Sequence, residues 1–318
     1  MSHSKTALLI LLALILLVLA GPRASVDLVW QDVVISDPAD EWLASQESAF
    51  DDIEAGKEKG IVWADTSKAR TNCSVVYIHG FSASRLEAYP FPDSIAAALG
   101  ANLHYTRLQG HGRGGEALGD ATGAGWMQSL AEAVRVGEAI GDSVIVIGLS
   151  TGGSLAAAAS ADEALSRRWA AQILINPYYA AQDSRSEMLL WPWGNVLLKI
   201  MANEDRSWEP QNDLHAYMGT HTYPSKVLLE LVATAQALRN TDMSEVDVPT
   251  LWIYAPDDTV VRPEVGLDIF SSIGSARKDT FVVRRSLDEN NHVIVGDALG
   301  PANTVPISER TVAWFESL

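Results

Sequence analysis

Cysteine is nearly missing: Cys73 is the only one in 318 residues. No intrachain disulfide can form, so the fold must be held by burial and hydrogen bonding. Cys73 opens an apolar run, the setting of a buried structural thiol rather than a reactive one. Cys/His clusters at metal-ligand spacing are also lacking, so the sequence implies neither a metal nor an organic cofactor. Positive charge is scarce, with 23 Lys and Arg against 40 Asp and Glu and a formal net charge of −17. Such a chain is a poor partner for nucleic acid and approaches anionic lipid slowly. Solubility accounts for the charge equally well. No internal repeat is present. Histidine is rare, seven in all, which leaves few side chains able to act as a base near neutrality.

One long hydrophobic run is present, from Ala7 to Ala20, behind a short start with Lys5. It is shorter than the roughly 20 residues that comfortably span a bilayer. Val18-Leu19-Ala20 has the form of a signal cleavage site. Two readings of residues 1–24 stay open: a cleaved export signal, giving a periplasmic or secreted protein, and an uncleaved segment tethering it to the membrane. Residues 25–60 form an acidic arm, in which Trp42, Leu43, Phe50 and Ile53 are spaced as on a short helix packed against a core. The length suits one domain with an insertion better than two equal domains.

The densest chemical signal is Val144-Ile145-Val146-Ile147-Gly148-Leu149-Ser150-Thr151-Gly152-Gly153, followed by Ser154-Leu155 and an alanine run. A β-branched run, a Gly-x-Ser-x-Gly turn and a helix-forming stretch make a nucleophile elbow. The turn leaves no room for side chains at Gly148 and Gly152, and it lifts Ser150 to a helix N-terminus. The plain alternative is a glycine-rich turn whose serine caps the helix. A serine nucleophile needs a base, and the base needs an orienting acid. The strand Thr250–Tyr254 runs into Ala255-Pro256-Asp257-Asp258, and a later strand is followed by Asp288-Glu289-Asn290-Asn291-His292. The order Ser, Asp, His is thereby met, with Asp257 and Asp258 both open as the acid. His292 stands alone in the place for the base. The early strand Cys73–Ile78 leads into His79-Gly80-Phe81, where a backbone donor for an oxyanion belongs.

From residue 61 the pattern alternates. Strands are expected at 61–65, 74–79, 102–107, 143–148, 172–176, 250–254 and 279–285, with helices at 86–99, 125–141, 151–167, 263–273 and 306–317. This predicts an α/β fold, a mostly parallel sheet with helices on both faces. The alternation stops between about 178 and 245, where helices are expected at 186–202 and 223–238.

Together with Arg107-Leu108-Gln109-Gly110-His111-Gly112, these segments resemble the α/β-hydrolase superfamily from residue 61 to 318. Within it they are most similar to monoglyceride lipases and small carboxylesterases, which are grouped with serine aminopeptidases. The resemblance implies an α/β-hydrolase fold and a helical lid at about 178–245. It aligns Val261 with the valine of a Gly-x-x-Asp-x-x-Val pattern, Ala255 replacing the glycine, and so selects Asp258 over Asp257. It implies a triad of Ser150, Asp258 and His292, and an oxyanion hole from the Phe81 and Thr151 amides. His79 then braces the loop. The apolar excess of the lid, Leu189 to Met201, points to an acyl pocket or membrane-facing lid with Trp191 and Trp193 as substrate contacts. Plain packing on the sheet is the alternative. The implied activity is cleavage of small-molecule carboxylic esters through an acyl-enzyme. A serine aminopeptidase is the enzymatic alternative, and a non-catalytic binding module on the same fold is the other. Residues 7–20 supply a route to membrane association.

Overall fold

A computed structural model describes residues 5, 11, 12, 16, 17, 19–36 and 38–318. Much of the apolar run at 7–20 lies outside the described residues, as does Asp37. No helix among the described residues is long and apolar enough to cross a membrane.

In chain order the elements begin with helix α1 (Ala39–Glu47), strands β1 (Gly60–Val62) and β2 (Thr71–Ile78), and helix α2 (Phe91–Leu99). Next come β3 (Asn102–Tyr105), α3 (Gly114–Gly119), α4 (Gly123–Ile140), β4 (Gly141–Leu149), α5 (Thr151–Ser160), α6 (Glu163–Ser166) and β5 (Trp169–Ile175). The inserted region holds a 3-10 turn (Ser184–Leu190), α7 (Gly194–Met201), β6 (Asp205–Ser207), α8 (Asp213–Met218), β7 (Thr222–Pro224) and α9 (Val227–Arg239). The chain closes with β8 (Thr250–Tyr254), α10 (Pro263–Ser272), β9 (Lys278–Val282) and α11 (Pro301–Glu316).

Seven strands form one sheet in the order β1-β3-β2-β4-β5-β8-β9. Only the β1–β3 pair is antiparallel. A parallel sheet needs both faces covered, so its central strands read as unbroken apolar runs. Side chains still alternate between faces. Val76 and Ile78 of β2 and Val144 and Val146 of β4 pack with Trp126, Leu130 and Val134 of α4 and with α5. Their neighbours Val75, Tyr77, Ile145 and Ile147 pack on the other face with Phe91 and Ile95 of α2 and Ile307 of α11. β2, β4, β8 and β9 all deliver their C-terminal ends to one edge, where an open α/β sheet places its ligand site.

Several expected boundaries move for local reasons. The helix expected at 186–202 splits: Pro192 has no N–H to donate, and Trp193 takes a left-handed φ of 65° before α7 starts. The helix expected at 86–99 begins only at Phe91, with Pro92 in its first turn. The helix expected at 151–167 breaks at Ala161, and Asp162 caps a short second turn through the Ala164 amide. The helix expected at 306–317 starts earlier, at Pro301. The helix expected at 223–238 starts at Val227, because Thr222–Pro224 pairs antiparallel with Asp205–Ser207. The short helix of the acidic arm forms at Ala39–Glu47 and buries Leu43, whereas Phe50 lies beyond its end and is exposed.

The arm is tied to the core by charge as well as packing. Glu47 accepts from Arg107 Nε at 3.0 Å and Nη2 at 2.7 Å, a two-pronged pair with both side chains nearly buried. Residues 21–36, ahead of the arm's helix, carry no helix or strand and lie against the helical face. Pro22 accepts from the Trp193 amide at 2.8 Å, Gln31 and Gln128 exchange two hydrogen bonds, and Trp30 Nε1 donates to Asp162.

Candidate active site

Ser150 sits between β4 and α5 with φ 53° and ψ −120°, a backbone that a side chain rarely adopts. Close packing enforces the turn. A Cβ on Gly148 would stand 2.5 Å from the Gly152 carbonyl oxygen, and one on Gly152 only 2.2 Å from the Ile78 carbonyl oxygen. The Ser150 amide donates to Ile175 O, locking the elbow to the neighbouring strand end.

His292 Nε2 lies 2.9 Å from Ser150 Oγ, and its Nδ1 lies 2.7 Å from Asp258 Oδ2. The carboxylate fixes the tautomer: Nδ1–H donates to Asp258, leaving Nε2 to accept the serine proton. Asp258 Oδ1 accepts from the Val260 and Val261 amides, so both its oxygens are held. Asp257 is exposed beside it. Burial pulls the His292 pKa down, and the Asp258 carboxylate, helped by Asp288, more than reverses this and holds it above its ordinary value.

The loop expected to supply the oxyanion donor is equally braced. Gly80 packs against Ser150, for a Cβ on Gly80 would be 3.1 Å from the serine Cβ. His79 Nε2 accepts from the Leu108 amide at 3.1 Å, so its Nδ1 carries the proton and donates to Gly80 O at 2.8 Å. The peptide that carries the Phe81 amide is planar, so pinning its carbonyl also points its N–H. His111 Nε2 accepts from the Ser82 amide, and its Nδ1 faces Gln109 O, which fixes the next turn of the loop. Both rings are buried and neutral. Burial lowers the His79 pKa to about 4 and puts that of His111 well below its usual value. The Thr151 amide opens α5 directly after the elbow.

Three residues that hold this geometry were not legible as site residues. Asp288 Oδ2 accepts from the amides of His292 and Val293, and its Oδ1 from the Asn290 amide and Gln211 Nε2. Burial pushes its pKa up, and these donors outweigh that and bring it below the carboxylate norm. Asn176, at the end of β5, donates to His292 O at 2.7 Å and accepts from the Ala255 amide at 2.9 Å. It thereby staples the His292 loop to the end of β8. Glu87 accepts from the Gly80 amide at 2.8 Å. Only Asp288 carried any signal, as a carboxylate in a polar loop just before the histidine.

The insert reaches both sides of the site. Thr220 N donates to Ser82 O at 2.7 Å, and Tyr223 meets Phe81 edge to face at 5.4 Å. Gln211 docks on the His292 loop. Within the insert, Leu189, Leu190 and Leu198 are buried against Val232 and Ala233, with Ala24 and Val26 of the extended segment alongside. Trp191 and Trp193 instead stand exposed, at 55% and 38%, beside exposed Val196 and Ile200. The structure therefore brings together Ser150, Asp258 and His292, packs Gly80, just before Phe81, against Ser150, and leaves both tryptophans exposed on the insert.

Sheet, elbow and strand-end loops define an α/β-hydrolase. The sequence profile described as serine aminopeptidase, S33, matches residues 70–287, more than half of the chain, and the chain belongs to that family. Among curated proteins none matches in sequence. A metagenome-derived lipolytic enzyme, described with the pair LipS and LipT, is similar in structure with TM-score 0.68 and 21% identity, covering 84% of this chain and 100% of its own. A soluble variant of the Saccharomyces cerevisiae monoglyceride lipase, solved with a substrate analogue, gives TM-score 0.60 at 12% identity, covering 82% and 91%. The Paleococcus ferrophilus monoacylglycerol lipase gives TM-score 0.58 at 13% identity, covering 80% and 98%. At these identities the likeness concerns the fold.

Proposed function

We propose that the protein is a serine hydrolase that cleaves small-molecule carboxylic esters, of the carboxylesterase or monoacylglycerol lipase type. The observation that carries this is the continuous relay from Ser150 Oγ through His292 to Asp258 Oδ2 at the rim of a braced oxyanion loop. Ser150 attacks the ester carbonyl as His292 Nε2 takes its proton. The carbonyl oxygen becomes an oxyanion held by the Phe81 and Thr151 amides. His292 then returns the proton to the departing alcohol, leaving an acyl-Ser150. Water repeats the sequence: His292 takes its proton, hydroxide adds to the acyl carbon, and the acid leaves as Ser150 regains its proton. Asp258 holds the imidazole and stabilises the imidazolium in both halves.

The apolar outer face of the insert supports a role at the substrate side. Trp191 and Trp193, with Val196 and Ile200, give it an apolar rim that an acyl chain or a lipid surface would meet. The end of the leader reaches the same face, since Pro22 is bonded to the Trp193 amide. We therefore read residues 1–24 as an export signal or a tether, with the insert acting as the lid on the bilayer side.

The test is a panel of p-nitrophenyl esters, monoacylglycerols and aminoacyl-p-nitroanilides offered to the purified full-length chain. Ester turnover far above anilide turnover is expected. Anilide turnover that dominates the panel would replace this reading with the aminopeptidase one. No turnover, together with no labelling by a fluorophosphonate, would leave a binding module.

A further inference from the structure

Beneath the oxyanion loop lies a carboxyl that the mechanism above does not use. Glu87 is only 3% exposed. Its Oε2 takes two donors, the Gly80 amide at 2.8 Å and the Tyr77 hydroxyl at 3.1 Å. Its Oε1 takes neither and lies on the side of the elbow: a Cβ on Gly80 would be 2.9 Å from Oε1 and 3.1 Å from Ser150 Cβ. The ionisable groups facing it are Tyr77 from β2, and His292 and Asp288 from the loop after β9. Among the described residues no Lys or Arg pairs with it.

We propose that Glu87 is a positioning residue for the acyl-transfer step that works in its protonated, uncharged form, holding the Gly80 amide while keeping negative charge away from the oxyanion. The proposal rests on the acyl-transfer reading. Two donors on one oxygen and none on the other leaves Oε1 free to carry a proton while Oε2 goes on accepting. A carboxylate buried without a cation is expensive, and protonation relieves it. Burial does raise its pKa, to about 7, against the opposing pull of the Gly80 amide, His292 and Tyr77. A full negative charge there would face the charge that develops on the carbonyl oxygen. The position also links the two halves of the site. Gly80 precedes the Phe81 donor. On the other side, a Cβ on Gly296 would stand 2.6 Å from Glu87 O, and the Asp297 amide donates to Tyr89 O. The turn carrying Glu87 is thus clasped by the segment that follows His292.

The test compares wild type, Glu87→Gln and Glu87→Asp on a short ester, with kcat and KM measured from pH 6 to 9.5 and melting curves as the folding control. Gln is neutral and still accepts the Gly80 amide. Its kcat at pH 7 should stay within about threefold of wild type and remain level to alkaline pH. Wild-type kcat should fall about tenfold or more on the alkaline side as Glu87 ionises. Asp keeps the acid but is one methylene too short, and should lose about a hundredfold in kcat with KM little changed. A wild-type kcat level from pH 7 to 9.5, a Gln variant as impaired as the Asp variant, or an Asp variant with wild-type kcat overturns the proposal. If the Gln variant does not fold, the wild-type profile alone decides. Absence of both turnover and Ser150 labelling in the wild type would sink the acyl-transfer reading itself. An active wild type with any of the contrary results sinks only the role of Glu87.

Discussion

Gln211, in the insert, donates from Nε2 to Asp288 Oδ1 at 2.8 Å, and its Oε1 accepts the Glu289 amide at 3.0 Å. Asp288 in turn holds the amides of His292 and Val293. The insert is thereby linked to the loop carrying His292, the base of the proposed mechanism, through Gln211 and Asp288. Gln211→Ala should lower kcat about tenfold, because a base misplaced by a fraction of an ångström loses alignment with Ser150. Melting temperature should change little, since Gln211 is only partly buried. Steady-state kinetics beside a thermal melt check this. Unchanged kcat would mean the His292 loop is held without the insert.

Asp258→Asn should cost about 10⁴-fold in kcat, because the amide no longer keeps the imidazole in its productive tautomer. Asp257→Asn should stay within about twofold, as an exposed substitution away from the relay does little. Parallel kinetics of the two variants test the assignment. A crippled Asp257→Asn would contradict it.

The elbow, the order of the three residues and the strand alternation were legible because each is a local pattern. Gly148 and Gly152 announce a turn whose close contacts exclude side chains. Asp257 and Asp258 could not be separated by local pattern, since both follow the same strand; only the long-range meeting with His292 distinguishes them. Asn176, Glu87 and Asp288 were invisible as a set for the same reason: their partners lie on other strands and loops. The insert was legible as a break in alternation, but not its division. Pro192 marks the break in the expected helix, while the strand pair Asp205–Ser207 and Thr222–Pro224 carries too few residues to show a period.

Acid should destabilise the protein below pH 6.5. His79 and His104 are buried and neutral, with pKa values lowered by burial to about 4 and about 3. Below pH 6.5 the unfolded chain binds protons there that the folded chain refuses, so stability falls as pH falls. His79 alone accounts for about 3 kcal/mol lost between pH 6.5 and 4. His292 acts in the opposite window. Its raised pKa gives stability that is complete below 6.5 and lost as pH rises through the folded value. Denaturant melts at pH 7, 6 and 5 should show the acid loss. A stability level across that range would contradict neutral burial of these rings.

Trp191→Ala with Trp193→Ala should flatten the dependence of kcat/KM on acyl length while sparing acetate esters. Each methylene that loses apolar contact forfeits up to about 0.8 kcal/mol. The measurement is a series of p-nitrophenyl esters from acetate to laurate. An unchanged profile would assign both tryptophans to the surface of the insert alone.

The central claim is that Ser150 is the nucleophile of an acyl-enzyme. It is tested most directly by incubating the full-length protein with a fluorophosphonate and mapping the adduct by peptide mass. The account predicts stoichiometric modification at Ser150, with loss of ester turnover in step. Ser150→Ala should be unlabelled and inactive yet melt like the wild type. Labelling at another residue, or an unlabelled wild type that still turns over ester, would contradict it.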